Sequence, residues 1–341
     1  MTGENTVLSV IDISKPSAAT AKALFDAAST LGFVFINGSG LTQADVNRMF
    51  GLSAKFFAEP AGEKEKFAIA DNKGYAGMNQ EALGVDSEEK RGDPKEIFNF
   101  GQFRRGRPDQ ALPPVFLGEN EGTLAEVSAF AAKCHATCNA VLDLLAAALD
   151  IEGAEKEPNG IASDERNTWF SRRHDAEEAS GSILRLLHYP GTASHAAPSE
   201  DKDTEDAWVR AGAHTDYGSL TLLFQRPGQE GLEVRGPDGE WLAVPALAAT
   251  GGDGCAPIVV NIADQLSFWS AGVLTSAYHR VRFEPRPEDR YSIAYFCHPA
   301  DATLLEPVPS QIVRTSGAPG PAGEVLSAGE HLARRLAASY L

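Results

Sequence analysis

Cysteine is scarce in this chain: four among 341 residues, at positions 134, 138, 255 and 297, with no Cys-x-x-Cys pair. That usage excludes a disulfide framework and fits a reducing compartment. Cys134, His135 and Cys138 resemble a metal-binding group, but they lie in an Ala- and Leu-rich helical stretch without a second ligand pair, which reads as core. Long apolar runs are missing too. The longest, around Ala140–Leu149, is too short to span a bilayer. The opening MTGENTVLSVIDISK has neither a basic nor an apolar segment, so no export signal is expected and the cytoplasm is the expected location. Basic residues are outnumbered, 30 Lys+Arg against 47 Asp+Glu, for a formal charge of −17. Such an acid excess repels phosphate backbones and argues against nucleic acid as a partner. It does not bar a small anionic ligand, because one pocket can differ from the mean.

What is present is the composition of a globular protein, 43% hydrophobic and 23% charged, which excludes bulk disorder and collagen-like repeats. Val7–Ile13 alternates as a strand. Ser17–Leu31 carries apolar residues at helical spacing, Gly32–Ile36 reads as a second strand and Gln43–Phe57 as a second helix. Ala70–Pro114 reads mostly as loop with short strands. Thr123–Asp150 is the longest helix candidate, having no internal Pro or Gly.

The character changes after residue 168. Short β-branched and aromatic runs, Ile183–His188, Leu220–Phe224, Leu232–Val234, Trp241–Val244, Ile258–Ile262, His279–Phe283 and Tyr291–Phe296, alternate with Pro/Gly turns. Many short strands at this spacing predict a β-sandwich or barrel. A last helix is expected over Ser327–Tyr340, packed back on the N-terminal helices. The expected division is an α/β region over 1–120, a scaffold helix and linker over 121–167, a β-rich catalytic core over 168–305 and a tail with a helix over 306–341, all within one integrated domain.

Three short pieces carry chemistry. His214-Thr215-Asp216 places an imidazole and a carboxylate two residues apart, which in a strand share a face. His279 follows after 62 intervening residues, and Arg290-Tyr291-Ser292 after another 10. Two histidines and one carboxylate form a facial triad that suits Fe(II) and leaves coordination positions open. An arginine two residues before a serine supplies a fork and a hydroxyl for a carboxylate. The residues alone therefore indicate an open metal site beside a carboxylate-binding arginine.

This pattern resembles the 2-oxoglutarate- and Fe(II)-dependent dioxygenases, in the branch related to isopenicillin N synthase. The similarity extends to Gly32-Phe-Val-Phe-Ile-Asn37, to the helix end at Lys55–Pro60, to Gly74-Tyr75 and to Asp93-Pro-Lys-Glu96. The resemblance implies a mainly β fold with flanking helices, a double-stranded β-helix or jelly roll. It implies iron on His214, Asp216 and His279, and 2-oxoglutarate with its distal carboxylate on Arg290 and Ser292. O₂ would take the remaining position, and ascorbate would serve as an auxiliary reductant. The implied outcome is oxidation, most often hydroxylation, of an unactivated C–H bond, with release of succinate and CO₂.

Closer motifs narrow the resemblance. Leu184-Arg-Leu-Leu-His-Tyr-Pro190, Arg210–Ser219, Leu222–Gln225 and Arg290–Cys297 are similar to segments of fungal thymine dioxygenase, which oxidises the methyl group of a free pyrimidine base. By that analogy Arg185, Tyr217 and Phe296 line the substrate pocket, an aromatic ring being suited to a flat base. Three details depart from the family pattern: Ala263 replaces a frequent Gly, Thr250–Pro257 looks like a loop insertion, and His188 replaces a frequent Tyr and so bears on the pocket's polarity. His298 is expected to be solvated, and Tyr75 to shape a lid. The competing readings are desaturation, ring closure or ring expansion by the same iron centre, a 2-oxoglutarate-independent oxidase like isopenicillin N synthase, a jelly-roll binding protein with a structural metal, and a nucleic-acid demethylase. The charge weighs against the last. The expected partner is a small molecule, with neither nucleic acid nor membrane.

Overall fold

The computed structural model describes residues 8–83, 92–152, 167–191, 208–249, 254–283, 286–316 and 325–339. Fourteen strands are seen among them: β1 (Val10–Asp12), β2 (Phe33–Asn37), β3 (Gly74–Ala76), β4 (Glu96–Phe100), β5 (Phe103–Arg104), β6 (Arg107–Pro108), β7 (Ile183–Tyr189), β8 (Val209–His214), β9 (Leu220–Phe224), β10 (Leu232–Arg235), β11 (Trp241–Val244), β12 (Ile258–Ile262), β13 (His279–Arg282) and β14 (Arg290–Cys297). The helices are α1 (Ala18–Thr30), α2 (Gln43–Phe57), α3 (Ala61–Lys64), α4 (Pro114–Leu117), α5 (Gly122–Ala148), α6 (Asp264–Trp269), α7 (Gln311–Thr315) and α8 (Ala328–Ser339).

The strands form an eight-stranded sheet, ordered β1-β2-β12-β9-β14-β7-β4-β3, a four-stranded sheet, ordered β11-β10-β13-β8, and a two-stranded hairpin of β5 and β6. Alternation assigns the two faces of the large sheet. Leu184, Leu186, Leu220, Leu222, Ile258, Val260, Ile293 and Tyr295 join one core with residues of α1, α2 and α5. The intervening residues face the small sheet. Phe33, Phe35 and Val259 pack there on Leu232, Val234 and Val244, and Leu187 and Tyr189 pack near Val281 and Phe283. This is the jelly-roll sandwich, and the space between its sheets is where polar residues on the inner face are brought together.

Local chemistry explains the flanking helices. Ser17 caps α1, its hydroxyl accepting from Thr20 N at 3.0 Å. Thr42 and Asp45 close a reciprocal capping box on α2. In α5, Leu124, Val127, Ala131, Cys134, Cys138, Val141 and Leu145 recur at helical spacing and are buried, so Cys134 and Cys138 are core residues.

Several expectations change. Residues 1–120 contribute β1 to β4 to the same sheet as β7, β9, β12 and β14, so the catalytic sheet draws on both regions. Tyr75 is no lid: it is buried and its hydroxyl donates to Glu96. Among the described residues, α8 is held beside the metal-ligand motif rather than on the N-terminal helices. Its start is held by Gln265 Nε2 on Ala328 O at 2.9 Å, and Arg335 reaches Thr215 and Asp264 beside the metal-ligand motif. Of the expected insertion, Thr250–Asp253 lie outside the described residues, as does most of the linker, 153–166.

Candidate metal centre and adjoining cleft

β8 ends at His214, and Asp216 lies two residues past it. The same-face argument for an HxD in a strand therefore does not place Asp216; the turn beyond the strand does. His279 opens β13 with its Cα opposite that of His214, and the two rings lie 4.3 Å apart. Asp216 Oδ1 is 3.7 Å from His214 Nε2 and 3.6 Å from His279 Nε2. One ligand atom from each of the three residues falls within 4.8 Å of the others, the only such group of three among the described residues.

Hydrogen bonds aim these atoms. His214 Nδ1 donates to Gly212 O at 2.7 Å and His279 Nδ1 to Ala277 O at 3.2 Å, which leaves both Nε2 atoms as lone-pair donors. Asp216 Oδ2 accepts from Thr221 Oγ1 at 2.6 Å and from Asn261 Nδ2 at 2.9 Å, turning Oδ1 to the histidines. Burial, reinforced by the neighbouring His279, pushes the His214 imidazole down to about 3, so it is neutral at pH 7. Burial alone would raise the Asp216 carboxyl, but the two imidazoles and its two hydrogen bonds hold it below the ordinary carboxylate range. Two imidazole nitrogens and a carboxylate are the donor set a divalent iron takes, so these residues fit the ion.

Two glycines fit the backbone around this centre. Gly218 follows the ligand motif, and a Cβ there would lie 2.5 Å from Cys297 O and 2.9 Å from the His298 ring. Gly32 has φ +73° and would meet Thr275 O at 2.1 Å. Ala263 needs no such freedom. It sits at φ −110°, ψ 174°, ordinary extended backbone, and so accommodates a methyl group where the family often has none.

Arg290 and Ser292 alternate onto the inner face of β14, and both are buried. Arg290 Nε donates to Gln229 O at 2.9 Å, and its guanidinium lies 4.8 Å from the Tyr189 ring centre. Its Nη1 is sealed from solvent without a partner. A buried, unpaired guanidinium nitrogen is costly to leave unmade, and a ligand carboxylate has the geometry to satisfy it.

A cleft of about 500 Å³, including its open mouth, adjoins the triad. His214, Asp216, Arg185, Tyr217 and Phe296 line it together with Glu81, Asn72 and His298, and Leu332 and Leu336 of α8 complete the wall. Register explains part of this. Asn261, Thr221, Phe296 and Ile183 form one row across β12, β9, β14 and β7. Arg185 is not a lone pocket cation: its Nη1 is 3.1 Å from Glu81 Oε1 and its Nε donates to Asn99 Oδ1 at 2.8 Å. Glu81 also lies 3.0 Å from Lys95 Nζ, and Lys95 pairs with Asp93. Sequence reasoning missed Glu81, Asn261 and Thr221 as functional residues. The Asp93–Glu96 segment was a signal for this network, without its partner.

His298 is corrected from solvated to buried, with Nδ1 sealed and unpartnered. His188 is corrected as well. It points to the opposite face of β7, where Nδ1 donates to Glu96 Oε2 at 2.9 Å, so it does not set the polarity of the cleft.

The chain matches the model of the 2OG-Fe(II) oxygenase superfamily over residues 180–299, and that of the non-haem dioxygenase in morphine synthesis N-terminal over 8–118. It is 31% identical to a 2-oxoglutarate-dependent dioxygenase of Didymella fabae, covering 83% of this chain and 82% of that protein. The chain belongs to the 2OG-Fe(II) oxygenase superfamily. It is a 2-oxoglutarate-dependent non-haem iron dioxygenase, an oxidoreductase whose family chemistry uses Fe(II) and 2-oxoglutarate. The UPF0676 protein C1494.01 of Schizosaccharomyces pombe is 34% identical, over 87% of this chain and 84% of that one. Among solved structures, the full-length thymine 7-hydroxylase of Neurospora crassa in complex with alpha-KG and thymine superposes with a TM-score of 0.74 at 28% identity, covering 99% of this chain and 98% of that one. No helix among the described residues is long and apolar enough to cross a membrane.

Proposed function

We propose that this dioxygenase hydroxylates an unactivated C–H bond of a small molecule held in the cleft beside His214 and Asp216, with a free pyrimidine base such as thymine as the lead substrate. The observation that carries the reaction is the convergence of His214 Nε2, His279 Nε2 and Asp216 Oδ1, with Arg290 Nη1 buried and unpaired on the inner face of the larger sheet opposite. His214, Asp216 and His279 hold the iron. Arg290 and Ser292 hold the distal carboxylate of 2-oxoglutarate, and Arg185, Tyr217 and Phe296 frame the substrate. When bound, iron supplies activation of O₂ for the oxidative decarboxylation of 2-oxoglutarate to succinate and CO₂. The protein orients both organic ligands and excludes water. The likeness to a thymine-bound oxygenase over nearly the full chain supports the pyrimidine reading.

The test is succinate release by the Fe(II)-loaded protein over a panel of pyrimidine bases and metabolite acids. Release that needs 2-oxoglutarate and is lost in His279→Ala and Arg290→Gln is expected; release indifferent to both substitutions overturns the site assignment. Stimulation by thymine, with oxygen appearing on its methyl group, supports the lead substrate. Absence of any response to pyrimidines removes it.

A further inference from the structure

We propose that Glu81 sets the substrate class of this cleft: its carboxylate accepts an N–H from an uncharged, planar ligand bearing an amide or ureide edge, and the site rejects ligands that carry net charge. The proposal rests on the reading that the cleft beside the triad is the substrate site.

Four buried charged side chains form a continuous chain that reaches the cleft wall at Glu81 and Arg185. Asp93 pairs with Lys95, Lys95 Nζ lies 3.0 Å from Glu81 Oε2, and Glu81 Oε1 lies 3.1 Å from Arg185 Nη1. Among the described residues two acids face two bases in this chain, so these four charges cancel. An entering carboxylate would meet Glu81 with both neighbouring cations already engaged. An entering ammonium approaching Glu81 would meet Arg185 and Lys95 around it. Either charge would give up its water without a free counter-ion in this chain, which disfavours its entry. An uncharged amide meets no such penalty once its N–H is hydrogen-bonded. Glu81 has capacity for that bond. A carboxylate offers about four acceptor directions, and Arg185 and Lys95 make three contacts with it, at 3.1, 3.3 and 3.0 Å. Flatness follows from Phe296, whose ring lines the cleft with the Arg185 guanidinium 5.3 Å from its centre. His298, buried and neutral, adds a polar group without adding charge.

The experiment uses the Fe(II)- and 2-oxoglutarate-loaded protein without O₂, and reads ligand affinity by calorimetry and by rise in melting temperature. Ligands are matched pairs sharing one ring, uracil with orotate and nicotinamide with nicotinate, plus proline as a zwitterion. The uncharged member of at least one pair is expected to bind about tenfold tighter than its carboxylate twin, the discrimination one charge-assisted hydrogen bond provides. Glu81→Gln leaves Arg185 and Lys95 in positive excess and is expected to move that ratio towards the carboxylate, whereas loss of a merely structural group would weaken both members alike. A carboxylate twin or proline binding as tightly as the uncharged ligands overturns the proposal. So does failure of every uncharged ligand to bind, or an unchanged ratio in Glu81→Gln. Should that variant not fold, the wild-type pairs decide. Succinate release that depends on Arg290 would survive each of these failures, so the two readings fall separately.

Discussion

Asn261 Nδ2 donates to Asp216 Oδ2 at 2.9 Å, and the Asn261 Cα lies opposite that of Thr221, the second donor to the same oxygen. Two neighbouring strands of the large sheet thus converge on one carboxylate oxygen and leave the other to face the histidines. The orientation of the single acidic ligand is set by the register of β9 against β12. A slip of one residue between the two strands would turn one of the donors to the helix side.

Asn261→Ala is therefore expected to lower metal affinity by about 10- to 100-fold, the usual effect of removing an outer partner of a ligand. Titration of the apoprotein with Fe(II) or a redox-inert divalent ion checks this. Affinity unchanged within twofold would mean that Thr221 alone fixes the carboxylate.

Arg290→Lys tests the fork rather than the charge. A lysine keeps the positive charge but cannot donate in parallel to a carboxylate. With Arg290 Nη1 buried and otherwise unpaired, we expect 2-oxoglutarate to bind roughly tenfold more weakly or worse. Metal affinity should stay near the wild-type value. Equal loss of both would indicate collapse of β14 rather than a lost contact.

Much of this was legible in the chain because the relevant signals are local. Leu220–Phe224, Trp241–Val244 and Ile258–Ile262 have the observed strand boundaries, and Gln43–Phe57 the observed helix. His214, Asp216, His279, Arg290 and Ser292 stand out by spacing alone. Glu81 does not, because its partners Lys95 and Arg185 lie 14 and 104 residues away and meet it only after β4 has paired with β7. His298 misleads for a related reason. A histidine just past a strand reads as solvated, yet α8 returns from the far end of the chain and covers the cleft with Leu332. No periodicity within α8 says where it docks.

The docking of α8 depends in part on Arg335, whose Nη2 donates to Thr215 Oγ1 at 3.0 Å and lies 3.3 Å from Asp264 Oδ2. Its guanidinium also lies 4.6 Å from the Tyr217 ring centre. Arg335 is part-exposed, so the pair is worth at most about 1 kcal/mol, or roughly fivefold in a local opening equilibrium. Arg335→Ala should speed amide exchange in Ala328–Ser339 by about that factor while leaving α1 and α2 unaffected. Uniform acceleration across the chain would instead mark global destabilisation.

Stability towards acid follows from two buried glutamates. Burial alone would raise the Glu81 carboxyl, but Arg185 and Lys95 bring it down from 4.5 to about 2. Burial likewise opposes ionisation of Glu96, yet hydrogen bonds from His188, Lys64 and Tyr75 bring it to about 2 as well. Both folded values are depressed, so the stabilisation is fully present above 4.5 and is lost as pH falls towards 2. Across that window the unfolded chain binds the extra protons, and stability should fall by up to about 1.4 kcal/mol per pH unit for each group. Denaturant titrations between about pH 5 and 2.5 measure the slope. Glu96→Gln, which cannot ionise, should be less stable at pH 7 yet lose less on acidification. A wild-type slope no steeper than that of the variant would show that the Glu96 network contributes nothing to acid sensitivity.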